Sequence, residues 1–418
     1  MNNWKRTLYI MFFAQMVTAV GFSSIFPFLP LYVESLGSAS GWSIELLSGL
    51  VFSGQAVSMM IASPIWGSLA DRYGRKLMVI RSMFGGTVIL FMMAFVRSAE
   101  ELVILRFIQG FITGTVSAAN ALLAAEAPKG RIGYVMGSLQ VALGTGVAIG
   151  PILGGAMADA FGYQSAFYMT AGLLTLAGIL VWWGVEENFE PPEPKEKRRS
   201  GLSKWKGILS TPGVMMTYSL RFVVLLGRMM IVPIAPLFIN ILLVASNGLE
   251  KFSGLIIGIV IGAAAASTTV SSLYLGKLGD RIGHRKVAVV SLLVAGIFYL
   301  PQGLVTEWWH LLILQSLMGV SMGGVIPAIS ALLADYTDKG EAGAVYGLEN
   351  SINAAARAVA PLFGAGVAVW FGLRSTFVAT GIMLLAASVM GFFFLPKPSV
   401  RTKQEEREWS KQSNMDYK

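Results

Sequence analysis

Apolar residues in this chain come in long runs, and polar residues collect in the breaks between them. A helix that crosses the hydrocarbon of a bilayer needs about 20 mostly apolar residues. Twelve such runs can be placed, at 8–33, 44–66, 77–96, 101–123, 134–157, 165–185, 213–243, 252–275, 287–305, 309–333, 342–369 and 375–395. The first is too long for a signal-peptide core and no small-residue cleavage site follows it, so it is expected to be a span. Runs rich in Gly and Ala, as at 262–266 and 354–356, suit close helix approach where lipid supplies no hydrophobic drive to associate. Trp42, Trp308, Trp309 and Trp370 stand at run ends, where the amphipathic indole anchors at the interface.

The one long polar break runs from Glu186 to Gly213. It is first Pro- and Glu-rich (Glu190 to Pro194) and then basic (Lys195 to Arg199), a solvated linker by composition. Ser203 to Leu209, around Trp205, is a candidate short interfacial helix. The expected organisation is a six-helix bundle over 1–185, a cytoplasmic linker over 186–212, a second six-helix bundle over 213–396 and a charged tail over 397–418.

Composition sharpens the class. Of 418 residues, 55% are hydrophobic and only 13% charged, against about 25% charge in an ordinary soluble domain. The fold class expected is all-α integral membrane. With the N-terminus in the cytoplasm, Arg97, Lys251 and Arg374 fall outside and Arg106, Arg221, Arg228 and Arg357 lie within spans. The other basic residues fall on the cytoplasmic side, as the positive-inside rule requires, so both termini are expected there. The net charge of +9 therefore reports topology, and no nucleic-acid partner is expected.

Chemistry is limited by what is missing. There is no cysteine, and the two histidines, His284 and His310, stand at membrane boundaries. No His-Glu-x-x-His, no paired aspartates and no G-x-x-x-x-G-K-[ST] loop are present. An enzyme, a metal site, a bound cofactor and direct ATP drive are all unexpected.

The chain repeats itself. The loop GSLADRYGRK at 67–76 returns as GKLGDRIGHR at 276–285, 209 residues later and so half the chain away. Pro27 and Pro30 match Pro233 and Pro236, Gly110 matches Gly319, Glu126 matches Asp335, and Pro151 matches Pro361. In the loop, Gly67 would let two helix ends pack closely and Gly74 would permit a left-handed turn. Asp71 would pair with Arg72 or Arg75 or cap the next helix, with Asp280 and Arg281 as the second copy. Two six-span halves in parallel repeat are a transporter architecture, with the substrate site between them near the midplane.

NWKR at 3–6, PFLPLYVE at 27–34, the Gly67 loop, RFIQG at 106–110 and GVAIGPILGG at 146–155 resemble the major facilitator superfamily across nearly the whole length. More narrowly they resemble its twelve-span drug:proton antiporters, in particular the MdtG-like multidrug efflux group. The resemblance implies a monomeric, proton-driven exporter of small amphipathic molecules in a prokaryotic cytoplasmic (inner) membrane. It implies that Gly146, Gly150, Pro151, Gly154 and Gly155 form the antiporter motif, a bent and closely packed fifth span that seals against leak. It makes Asp71, Arg75 and Glu126 a cytoplasmic latch of the outward-facing state, and Arg106 a proton-relay arginine. Because the same fold hosts metabolite or sugar symporters and uniporters, lipid flippases and non-transporting receptors, fold alone does not choose the substrate.

Ionisable residues inside a membrane are expensive and so are candidates for function. Glu349 is the carboxylate set deepest in a span; it is the first candidate for proton coupling, with Arg106 and, nearer the outer surface, Glu34. Arg221 enters the seventh span at nearly the depth of Glu349 in the eleventh, which pairs them. Arg228 and Arg357 then reach the midplane without a carboxylate. Either they favour an anionic or zwitterionic substrate over a cation, or they hydrogen-bond backbone carbonyls freed at Pro233, Pro236 and Pro361. Phe26, Phe28, Tyr32, Phe222 and Gln109 are further candidates for the cavity wall.

Overall fold

The computed structural model describes residues 3–113, 119, 122–123, 132–187, 213–245, 249–336 and 342–396. Among these, every regular element is helical, the form in which a chain satisfies its own backbone groups inside hydrocarbon. The first half holds α1 (Asn3–Ser24), α2 (Leu29–Leu36), α3 (Ile44–Tyr73), α4 (Arg75–Met93), α5 (Ala99–Ile112), α6 (Ile132–Phe161) and α7 (Tyr163–Gly184). The second holds α8 (Val214–Met230), α9 (Ile234–Ala245), α10 (Ser253–Ile282), α11 (His284–Tyr299), α12 (Trp308–Tyr336), α13 (Ala342–Phe371) and α14 (Leu373–Phe394). Eleven helical stretches among the described residues are long and apolar enough to cross a membrane. With α5 as the fourth, the fold has twelve spans in two six-span repeats. The polar segment 188–212, with the candidate helix around Trp205, and the tail from 397 lie outside the described residues.

The first and seventh runs, continuous in hydropathy, are each two helices. Pro27 and Pro233 lack an amide hydrogen and crowd the preceding turn, so α1 stops at Ser24 and α8 at Met230. Pro30 then sits in the first turn of α2, where a missing N–H costs nothing. The repeat holds at the level of helices: α3 and α10 have 30 residues each, α6 and α13 also 30 each, and α7 and α14 22 each. Gly74 and Gly283, the matched turn glycines of the repeated loop, both have φ of 96°, where an L side chain is strained.

Each half has its own apolar core, and the halves meet along two seams. In one, α6 lies on α10 with almost no side chain between them. A Cβ at Gly155 would overlap the Gly254 carbonyl, one at Gly258 the Pro151 carbonyl, and one at Gly262 would come within 2.9 Å of the Ala148 carbonyl. In the other, Gly49 of α3 faces the Pro361 carbonyl and Ala365 of α13. Both seams lie toward the face opposite the chain termini, here the far face. Toward the terminal face, α3 is exposed on consecutive positions, Met59, Met60 and Ile61, then Ser63, Pro64 and Ile65. Leu273 and Tyr274 of α10 are 68% and 71% exposed. The molecule is therefore closed at the far face and open toward the terminal face.

Phe28 and Tyr32 line no pocket. Both are buried in an aromatic cluster with Tyr163 and Phe167, and the Tyr32 hydroxyl donates to the Met93 carbonyl at 3.2 Å.

Candidate functional site

The charged wall of the second half is built from two helices. On α13, Glu349, Asn353 and Arg357 follow one another at intervals of four and so share a face. On α8, Arg221 and Arg228 are seven apart and share another. The faces meet: Arg221 Nη2 lies 3.1 Å from Glu349 Oε1, and Arg221 Nε donates to Asn353 Oδ1 at 3.1 Å. The two charged side chains are 13% and 8% exposed. Two turns further along, Arg357 is exposed and close enough to Arg221 and Arg228 to feel their charge, while Arg228 feels the buried Tyr299 of α11. Among the described residues neither Arg228 nor Arg357 has a carboxylate partner, and neither donates to a carbonyl at Pro233, Pro236 or Pro361. Three arginines and one carboxylate leave this wall with a net charge of +2.

The first half is organised differently. Arg106 on α5 is 1% exposed, and its Nη1 donates to Gln55 Oε1 at 3.1 Å and to Gln109 Oε1 at 2.9 Å. Gln109 is fully buried, so it cannot line a substrate cavity; it spends its carbonyl on Arg106. Arg106 Nε and Nη2 have no hydrogen-bond partner, and no carboxylate pairs with Arg106 among the described residues. The Gly110 that follows lets α5 approach α3, since a Cβ there would overlap the Gln55 carbonyl. Glu34 is exposed at the far end of α2, and Phe26, half-buried in the break between α1 and α2, packs on Phe52 with ring centroids 5.8 Å apart. Phe222 on α8 is likewise half-buried.

The glycines of the fifth span serve two partners. Gly146, Gly150 and Gly154 recur every four residues and face α1, where a Cβ would run into Ala19, Ser23 and Ser24 in turn. Ser23 Oγ donates across this contact to the Gly146 carbonyl at 2.9 Å. Gly155, one position on, points at α10 instead. One turn beyond it, Asp159 receives the Gly254 and Leu255 amides at 2.9 and 2.7 Å.

Among the described residues nothing lies within 4 Å of where a Cβ would stand at Gly67. Arg72 is exposed, with its guanidinium over the Tyr73 ring. The cap of the following helix comes from Glu187, whose carboxylate accepts from the Arg75 and Lys76 amides at 2.9 and 2.8 Å. In the second copy Asp280 pairs with His284 at 3.3 Å and not with Arg281. The Asp71 side chain and Glu126 lie outside the described residues.

The profile of the Major Facilitator Superfamily matches residues 11–222 and 217–415, one stretch for each half. The chain belongs to the Major Facilitator Superfamily. It is a multi-pass membrane protein of a family of non-enzymatic transporters. Among its relatives, Multidrug resistance protein MdtG of Serratia proteamaculans (strain 568) is 34% identical over 403 residues, 96% of this chain and 97% of the relative. A bacterial homologue of the human lysosomal transporter Spinster, inward-facing and unoccupied, superposes with a TM-score of 0.74 at 13% identity, over 95% of this chain and 99% of that one. The human organic anion transporter MFSD10 gives 0.65 at 19% identity, over 94% and 100%. At such identities the two structures share the fold.

Within this superfamily chain, three side chains at structurally telling places escape a hydropathy reading. Arg81, counted above with the cytoplasmic basic residues, lies six residues inside α4; its guanidinium stacks 3.2 Å from the centre of the Trp66 ring, whose Nε1 donates to the Phe111 carbonyl at 2.6 Å. Gln15 of α1, at the position that matches Arg221, is 1% exposed with neither amide atom hydrogen-bonded. Asp159 caps a helix of the other half. Its place four residues after Gly155 puts Asp159 on the same face as that glycine but does not reveal the cap.

Proposed function

We propose that the chain is a proton-coupled multidrug exporter working as a monomer by alternating access in a prokaryotic inner membrane, with both termini cytoplasmic. On that orientation the structure is the inward-open state. The observation that carries the proposal is Glu349: buried about two turns into α13, paired with Arg221, and set beside two arginines without a carboxylate partner among the described residues. A carboxylate in that position can hold either its arginine or a proton, which is what a carrier must do. Arg106, held by two neutral glutamines, is a fixed charge between this site and the far face.

Electrostatics narrows the cargo. The wall at +2 repels a lipophilic cation and attracts an anionic group to Arg228 and Arg357. Protonating Glu349 raises the wall to +3, which would hold a simple anion more tightly and so work against antiport. A zwitterionic amphiphile resolves the conflict, its anionic end on Arg228 and Arg357 and its cationic end on Glu349, from which a proton then displaces it. The relatives named for multidrug resistance support an amphipathic cargo.

The test is transport into vesicles holding a proton gradient, with lipophilic cations, anions and zwitterions compared, and Glu349→Gln and the Arg228→Ala and Arg357→Ala variants alongside. Gradient-driven movement of zwitterions, lost in Glu349→Gln, is expected. Movement of cations alone, or of zwitterions in the arginine variants, would keep the exporter and remove the arginine argument. Movement indifferent to the gradient would reject proton coupling.

A further inference from the structure

The two seams between the halves are related by the internal repeat, and they differ in one respect. At the seam of α3 with α13, α3 caps itself: Ser43 Oγ accepts from the Leu46 amide at 3.3 Å. The matching helix in the other half, α10, has Phe252 where α3 has Ser43, and no side chain of its own caps it. Its cap comes from across the seam. Asp159 of α6 accepts from the Gly254 amide with Oδ1 at 2.9 Å and from the Leu255 amide with Oδ2 at 2.7 Å. The residue matching Asp159 in α13 is Val369, so only one seam carries this contact. It stands at the far end of the glycine ladder, where Gly155 meets Gly254, and both residues of the contact must part if the far face is to open.

We infer that Asp159 is the latch of the far gate, its charged carboxylate holding the far face shut by capping α10 across the seam. The inference builds on alternating access as proposed above. A carboxylate between two amides at a helix N-terminus makes charge-assisted bonds and meets the positive end of the helix dipole. Opening the far face strips α10 of this cap. Tyr163 at the start of α7 feels the charge of both Asp159 and Glu34 of α2, and Asp159 forms no ion pair among the described residues.

The experiment uses the absence of native cysteine. Spin labels on Ala39→Cys and Thr306→Cys, in far-face loops of opposite halves, report the opening by distance in lipid nanodiscs. Asp159→Asn, which keeps the shape and loses the charge, should raise the long-distance population roughly tenfold, as loss of a charge-assisted cap at a helix N-terminus predicts. Phe252→Ser, which copies the self-capping of α3 and leaves Asp159 in place, should also favour opening. Unchanged distances in Asp159→Asn, with two populations still present, would overturn the latch and leave alternating access standing. A single fixed distance in the native chain would overturn both. If Asp159→Asn fails to fold, an unaltered distribution in Phe252→Ser overturns the latch by itself.

Discussion

Glu349→Gln is the perturbation whose size can be worked out most directly. At 3.1 Å the attraction between unit charges at an effective dielectric of about 20 is about 5 kcal/mol. Desolvation offsets much of this, since both side chains are largely withdrawn from water. A fully exposed pair contributes at most about 1 kcal/mol, and breaking a fully buried one costs roughly 3–5 kcal/mol. For a pair on a cavity wall, with Asn353 still holding Arg221 Nε after the substitution, we expect a coupling of about 2–3 kcal/mol. The assay is a double-mutant cycle of Glu349→Gln, Arg221→Met and both together, followed by unfolding in mixed micelles. The single variants should be destabilised and the double variant largely restored, while gradient-driven transport stays lost in every variant that lacks Glu349. Additivity within about 0.5 kcal/mol would mean the two side chains do not act on each other. Full transport by the restored double variant would remove Glu349 from the coupling.

Other parts of the molecule make separate predictions. Glu100, before the fourth span, accepts from Ser40 Oγ and the Ser40 and Ala39 amides, and these bonds, the Ser40 hydroxyl's first, pull its pKa down from 4.5 to about 2. A depressed carboxylate stabilises above its ordinary pKa and loses that contribution as pH falls through the depressed value. Protection of the Ser40 amide from hydrogen exchange should therefore persist below pH 4.5 and vanish toward about 2, and Glu100→Gln should abolish the pH dependence. Loss of protection already complete at 4.5 would contradict the contact. Gly154→Ala, whose methyl would overlap the Ser24 carbonyl, should cost more than about 2 kcal/mol or prevent folding. Gly172→Ala, with nothing within 4 Å, should be neutral or stabilise by about 0.5–1 kcal/mol. Equal effects of the two on monodisperse yield in size-exclusion chromatography would mean the fifth span is not packed on the first as described.

Twelve runs of apolar residues and a repeat at half-chain spacing are one-dimensional features, so the fold could be read from the chain. Matching depths along two spans brings Arg221 to Glu349, and the side chains meet. What could not be read depends on which way a side chain turns within its own bundle. Gln109 and Arg106 are three residues apart, so the amide turns to the arginine and away from any cavity. Phe28 and Tyr32 follow the packing of α7 for the same reason. Gly67 and Gly74 look alike in the motif, yet only Gly74 has the positive φ that demands glycine. Glu187 and Asp159 cap helices 112 and 95 residues away, contacts for which local spacing carries no signal.

The surplus of positive charge on the wall formed by α8 and α13 has a consequence for the energy source. A zwitterion leaving in exchange for one proton moves one positive charge inward per cycle; a monoanion leaving on the same terms moves two. Each charge that crosses gains about 2.3 kcal/mol per 100 mV of interior-negative potential. The membrane voltage alone would then supply about 2.3 kcal/mol for the first cargo and about 4.6 kcal/mol for the second at 100 mV, even with equal pH on both sides. Currents on a supported bilayer would count those charges directly and so reveal the net charge of the cargo.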